Sequence, residues 1–117
     1  SEVVENCKNK NWLGLVIACV SPEIIENSIE EVKKLNIPFG YKANLWKVEE
    51  PVPVHKFALP SDEIGANPVK AMGTRDDYTD TKFLEFSKKM LNKGATILGG
   101  CCETKPSHIE KISILKN

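Results

Sequence analysis

Three short apolar runs constrain this chain most: Trp12–Cys19 (WLGLVIAC), Ile37 to Asn44 (IPFGYKAN) and Ala95–Gly100 (ATILGG). The first has no polar alternation and is rich in strand formers, the pattern of a parallel strand buried on both faces. The second opens with Pro38, which is tolerated where a strand begins because it need not donate to the ladder. Helix signals follow each run. Ser21-Pro22-Glu23 reads as an N-cap, a proline at the first helical position and an acid in the first turn. Ile25, Ile29 and Val32 then recur at helical spacing to about Leu35, with Lys33 and Lys34 in the last turn and Asn36 suited to a left-handed stop. Thr79–Lys93 predicts a helix with Phe83, Phe86 and Met90 on one face and Gly94 as its stop. Lys105-Pro106-Ser107-His108 opens a last helix, in which Ile109 and Ile112 share a face. Ser1–Asn9 reads as the end of a preceding helix, with Val3, Val4 and Cys7 on one side. Repeated β-α units predict an α/β fold with a parallel sheet and right-handed crossovers.

One segment breaks the rhythm. Between the second strand and its helix lie residues 45–78, which hold Pro51, Pro53, Pro60 and Pro68. A connection this long is expected to be a structured excursion or to carry function. The remaining composition mainly excludes. The 117 residues suit one domain, and 16 basic residues balance 16 acidic ones. No basic cluster marks a nucleic-acid or anionic-membrane partner. No apolar run approaches a membrane span, and the first residues lack a signal-peptide pattern. The expected location is the cytoplasm, where four cysteines are thiols or metal ligands more readily than disulfides.

Two cysteine sites stand at the C-terminal ends of predicted strands, Cys19 after the first and Cys101-Cys102 after the third. That edge is where α/β sheets and barrels build chemistry. Three thiolates with a fourth position left open are a recurring catalytic zinc design. Adjacent cysteines can share one ion only if the backbone turns, and Gly99-Gly100 supplies that freedom. Other readings stand beside this one. Cys19 can be a core residue, and a Cys-Cys pair can be a redox-sensing vicinal dithiol. Cys7 reads as core, while His55 and His108 are ligands by residue type only. Trp46, Phe57 and Tyr78 are either an aromatic wall for a cationic ligand or plain loop anchors.

The run Gly99-Gly100-Cys101-Cys102, followed by Pro106-Ser107-His108-Ile109, resembles the C-terminal signature of the homocysteine S-methyltransferases. Gly94-Ala95-Thr96-Ile97 is similar to that family's entry into its last strand, and Cys19-Val20-Ser21-Pro22-Glu23 to its strand-ending cysteine and helix start. Tyr41-Lys42-Ala43-Asn44 lies where the family carries a Tyr-x-Asn type of strand end. The chain departs from the family at Val16-Ile17-Ala18-Cys19, where Gly-x-Asn-Cys is usual.

The resemblance implies that Cys19, Cys101 and Cys102 hold Zn2+, with Asn44 a neighbour of metal or substrate. It implies methyl transfer to the thiolate of homocysteine, giving methionine. The donor would be betaine, S-methylmethionine, S-adenosylmethionine or a methylcorrinoid. The family fold is a (β/α)8 barrel of about 250 residues. This chain then corresponds to its C-terminal part, about three β-α units from strands six to eight. The expectation is a fragment, or one chain of an assembly with the missing N-terminal half, inactive alone. The alternative is a non-catalytic zinc-binding or thiol-sensing α/β module.

Overall fold

The computed structural model describes residues 2–7, 11–47 and 72–116. Along the chain these form α1 (Glu2–Cys7), β1 (Leu15–Ala18), α2 (Pro22–Lys33), β2 (Phe39–Ala43), α3 (Asp80–Asn92), β3 (Ile97–Gly100) and α4 (Pro106–Ser113). The helix boundaries follow the sequence signals. Ser21 and Thr79 are the N-caps of α2 and α3, their hydroxyls accepting from Ile24 N and Lys82 N. Asn36 lies beyond α2 at φ 52° and Gly94 beyond α3 at φ 100°, the left-handed stops their residue types suit.

The sheet is parallel in the order β1-β2-β3, with Leu15 opposite Phe39, Ile17 opposite Tyr41, and Tyr41 opposite Leu98. When consecutive parallel strands are neighbours, right-handed crossovers bring every connecting helix to the same face. The core shows that arrangement. Phe39, Tyr41 and Ala43 of β2 pack with Ile25, Ile29 and Val32 of α2, with Phe83, Phe86 and Met90 of α3, and with Ile112 of α4. Leu15, Ile17 and Leu98 lie against this cluster from the flanking strands. At its centre the Tyr41 hydroxyl meets Ser87 Oγ at 2.6 Å, and Ser87 Oγ donates to Phe83 O at 2.7 Å.

Burial on both faces, expected for Trp12–Cys19, is not what the strand has. β1 is four residues long and alternates between half-buried and exposed, with Val16 43% exposed. Leu13 is 97% exposed and precedes the strand. The reason is position: β1 is a sheet edge, and its second face has no covering layer among the described residues. β3 is the other edge, and Ile97 there is likewise exposed. An apolar run records that a residue avoids water in its final setting, but not which neighbour covers it.

The excursion enters and leaves through a paired neck. Trp46 bridges Thr74 antiparallel, Lys47 N donates to Gly73 O at 3.1 Å, and Arg75 N donates to Leu45 O at 2.9 Å. Pro51, Pro53, His55, Phe57, Pro60 and Pro68 lie outside the described residues, as does the side chain of Cys7.

Candidate metal centre

Both cysteine-bearing segments are tied to the end of β2. Cys19 leaves β1 at φ 58°, a left-handed conformation that strains any residue with a Cβ and persists only when its surroundings enforce it. Here they do. Cys19 N donates to Lys42 O at 2.8 Å, and Cys19 O accepts from Asn44 Nδ2 at 2.8 Å. Asn44 N adds a bond to Val20 O at 3.0 Å. On the other side, Cys101 N donates to Ala43 O at 2.7 Å and Leu45 N to Cys102 O at 3.0 Å. A turn then closes through Thr104 N to Cys101 O, with Glu103 at φ 62°. Residues 42–45 carry no thiol, yet they hold all three thiol-bearing residues in place.

The result is a triangle of sulfurs. Cys102 Sγ lies 3.8 Å from Cys19 Sγ and 3.8 Å from Cys101 Sγ, and all three lie within 4.8 Å of one another. Thiolates bound about 2.3 Å from a tetrahedral zinc lie about 3.8 Å from one another along the tetrahedron's edges. Two edges of the triangle therefore have the required length. The donor set fits as well, since sulfur ligands suit zinc far better than magnesium or calcium. Cys19 is exposed and the other two are half-buried, so the cluster is open to solvent on one side. This cluster can hold a metal ion and leave it a free position.

The protonation pattern follows from crowding. Burial raises the Cys101 thiol, but hydrogen bonds from the Cys19 thiol and from the Cys102 amide and thiol, helped by Lys42, bring it below the ordinary thiol value. Cys102 is pushed up to about 11, by burial first and then by Cys19 and Cys101 beside it. One negative sulfur discourages the next in so small a space. A divalent cation among them removes that penalty and favours the thiolate form of each.

The other candidates divide. Asn44 is buried beside Cys19, but its side chain is committed to backbone. Nδ2 serves Cys19 O, and Oδ1 accepts from Trp46 N at 3.3 Å. His108 is buried as a strut: Nδ1 accepts from Lys105 N at 2.9 Å, which leaves Nε2 to donate to Tyr78 O at 3.0 Å. That joins the start of α4 to the segment before α3. Trp46 and Tyr78 are buried anchors, not a free wall. Tyr78's ring already carries the Arg75 guanidinium at 4.7 Å and the Lys82 ammonium at 4.8 Å.

Three contributors escaped the sequence reading. Lys42 is the nearby positive charge, and Thr104 contacts the Cys101 amide. Arg75, one-tenth exposed, bonds Glu23 at 2.7 Å and Asp77 at 2.9 Å, tying the excursion's neck to the helix that follows Cys19. The available signal for Thr104 was a β-branched hydroxyl two residues beyond a Gly-Gly-Cys-Cys turn.

Residues 1–115 match the sequence model of the homocysteine S-methyltransferase family. The chain belongs to that family. It is 30% identical over 110 residues to homocysteine S-methyltransferase 1 of Arabidopsis thaliana, and 28% identical to the Brassica oleracea var. italica protein of that name, across 91% of the chain in each case. To homocysteine S-methyltransferase 2 of Arabidopsis thaliana it is 26% identical across 94% of the chain. The matched region is 28% of the length of each relative. The family resemblance drawn from Gly99-Gly100-Cys101-Cys102 and its flanks thus extends along almost the whole chain. Among the described residues no helix is long and apolar enough to cross a membrane.

Proposed function

We propose that this chain is the metal-binding portion of a zinc-dependent homocysteine S-methyltransferase, with Cys19, Cys101 and Cys102 as the ligands. The observation that carries the reading is the sulfur triangle with its two 3.8 Å edges at the C-terminal end of a parallel sheet. Three thiolates at one sheet edge are an expensive arrangement to keep in a metal-free protein, where they repel as they ionise. A zinc ion bound there supplies a position at which an incoming thiol is kept deprotonated near neutral pH, against an ordinary thiol pKa of about 8.5.

This chain's residues do the rest of the local work. Exposure of Cys19 leaves the cluster open to a thiol from solvent. Lys42 offsets part of the negative charge gathered by the sulfurs. Asn44 holds Cys19 in its left-handed turn. In the overall reaction homocysteine loses its thiol proton, its sulfur forms a bond to the methyl carbon, and the donor leaves with the electron pair of the broken bond. An onium donor or a methylcorrinoid satisfies that balance equally.

The sheet is read as three consecutive strands, six to eight, of a (β/α)8 barrel. Its sequential parallel order, helices on one face and half-exposed Val16 and Ile97 on the other support this, as does coverage of 28% of the relatives' length. The remainder of the barrel, in the same polypeptide or another chain, supplies the other walls of the site. The paired ends of segment 45–78 adjoin the cysteines, since Leu45 N donates to Cys102 O at 3.0 Å.

Two measurements test the proposal in sequence. Purified protein should hold zinc in equal amount to the chain and lose it in Cys102→Ala; no zinc in the parent sinks the metal reading. The assembled or longer protein should then form methionine from homocysteine with one of the four donor classes. Zinc without methionine formation by that complete protein favours a non-catalytic zinc-binding or thiol-sensing module instead.

A further inference from the structure

Side chains of adjacent residues in extended backbone leave on opposite sides. Cys101 and Cys102 nevertheless bring their sulfurs to 3.8 Å. Something must bend the chain there and hold it bent. We propose that Thr104 is a positioning residue of the metal centre, its hydroxyl locking the Gly100-Cys101-Cys102 turn so that both thiols address one ion. The inference rests on the metal reading given above.

The contacts are specific to the hydroxyl. Thr104 Oγ1 accepts from Cys101 N at 2.9 Å and donates to Ala43 O at 3.2 Å. Cys101 N also donates to Ala43 O at 2.7 Å, so amide, hydroxyl and carbonyl close a small triangle. The turn is further closed by Thr104 N to Cys101 O at 3.2 Å. The Thr104 side chain fills the space that Gly100 leaves open: a Cβ on Gly100 would stand 2.3 Å from Thr104 Cγ2 and 2.6 Å from its Oγ1. Glycine at 100 and threonine at 104 are therefore parts of one device. The glycine makes room, and the hydroxyl ties the first cysteine's amide to the middle strand. Outer contacts of this kind typically account for about ten- to a hundred-fold in metal affinity.

A merely structural hydroxyl would support the end of β2 without affecting the ion. Thr104→Val separates the two roles, since it keeps the branched shape beside Gly100 and removes only the hydrogen bonds. Thr104→Ser keeps the hydroxyl and drops the methyl. Each variant is made in the complete protein that carries this chain and is loaded with zinc and, separately, with cobalt as a spectroscopic substitute. Zinc affinity is read by competition with a chromogenic chelator. The number of bound thiolates is read from sulfur-to-cobalt charge transfer, and folding without metal from circular dichroism.

The expected result is a zinc affinity for Thr104→Val lower by about ten-fold or more, with weakened charge transfer and a metal-free fold retained. Thr104→Ser restores both affinity and spectrum. Parental affinity and spectrum in Thr104→Val overturn the inference while leaving the metal reading intact. A Thr104→Val chain that is unfolded without metal assigns the hydroxyl to the fold and also overturns it. A parent chain showing no charge transfer at all overturns the metal reading and the inference together.

Discussion

Asn44 offers the sharpest quantitative prediction, because its whole side chain is spent on two backbone groups. Asn44→Ala removes the Nδ2 bond to Cys19 O, worth about 1 kcal/mol net. It also leaves the buried Trp46 N–H without its acceptor, which costs about 1–3 kcal/mol. The Trp46 bond is 3.3 Å long and therefore weak, so the total should fall in the lower part of about 2–4 kcal/mol. For a domain stable by about 5–15 kcal/mol that is a large fraction, visible as a drop in Tm on the order of 10 °C. The second arm is Asn44→Asp. The carboxylate still accepts from Trp46 N but faces Cys19 O, acceptor against acceptor. Folding then raises the pKa of the introduced acid, so this variant should be least stable at neutral pH. It should regain stability as the pH falls and the protonated acid donates to Cys19 O. Thermal and urea melts from pH 4 to 8 measure both arms. An Asn44→Ala chain within about 0.5 kcal/mol of the parent, the range of neutral surface changes, would refute the clamp. So would an Asn44→Asp chain whose deficit does not depend on pH.

Further predictions concern the core, the ion pairs and the metal. In the core, Tyr41→Phe should cost about 1 kcal/mol, because Ser87 keeps its bond to Phe83 O. Ser87→Ala should cost more, about 1–3 kcal/mol, since it strands the buried Tyr41 hydroxyl; urea melts giving the reverse order would contradict the donor assignment. Burial tends to raise the Glu23 carboxyl, yet Arg75 holds it below the usual range, and Arg75 with Lys82 does the same for Asp77. A depressed folded-state pKa gives stability present above the unfolded value and lost on acidification. The parent should therefore weaken as the pH falls from about 5 toward 3, and Arg75→Ala should flatten that slope. Equal slopes in acid titrations of the two would refute it. Finally, Cys102 is pushed up to about 11, so zinc binding at pH 7 must release its proton. Calorimetry in two buffers of different ionisation enthalpy should give different apparent binding heats, and identical heats would count against thiolate ligation by Cys102.

The secondary structure was legible because its signals are local. Ser21-Pro22-Glu23 and Thr79 mark helix starts through bonds made within four residues, and Asn36 and Gly94 mark stops through their own backbone freedom. The cysteine cluster was legible for a different reason: three cysteines at strand ends form a chemical pattern, Gly99-Gly100 announces a turn, and the fold brings the three sulfurs within 4.8 Å of one another. What did not show was anything set by a distant neighbour. The apolar run at Trp12–Cys19 gave no sign that Leu13 and Val16 face outward on a sheet edge. Tyr78 read as either an aromatic wall or a plain anchor; Arg75 and Lys82 cover its ring and make it the anchor, and Arg75 reaches Glu23 across 52 positions of sequence. The family resemblance set Asn44 beside metal or substrate, and only the fold reveals that both ends of its amide serve the backbone.

The central claim is that Cys19, Cys101 and Cys102 hold a zinc ion whose remaining position takes the homocysteine sulfur. X-ray absorption at the zinc edge tests it most directly. The zinc-loaded protein should show three sulfur neighbours near 2.3 Å and one lighter atom, changing to four sulfurs when L-homocysteine is added with the complete barrel present. A lighter-atom shell dominating from the start would contradict the ligand set. Three sulfurs that stay three on saturation with homocysteine would contradict the proposed role of the open position.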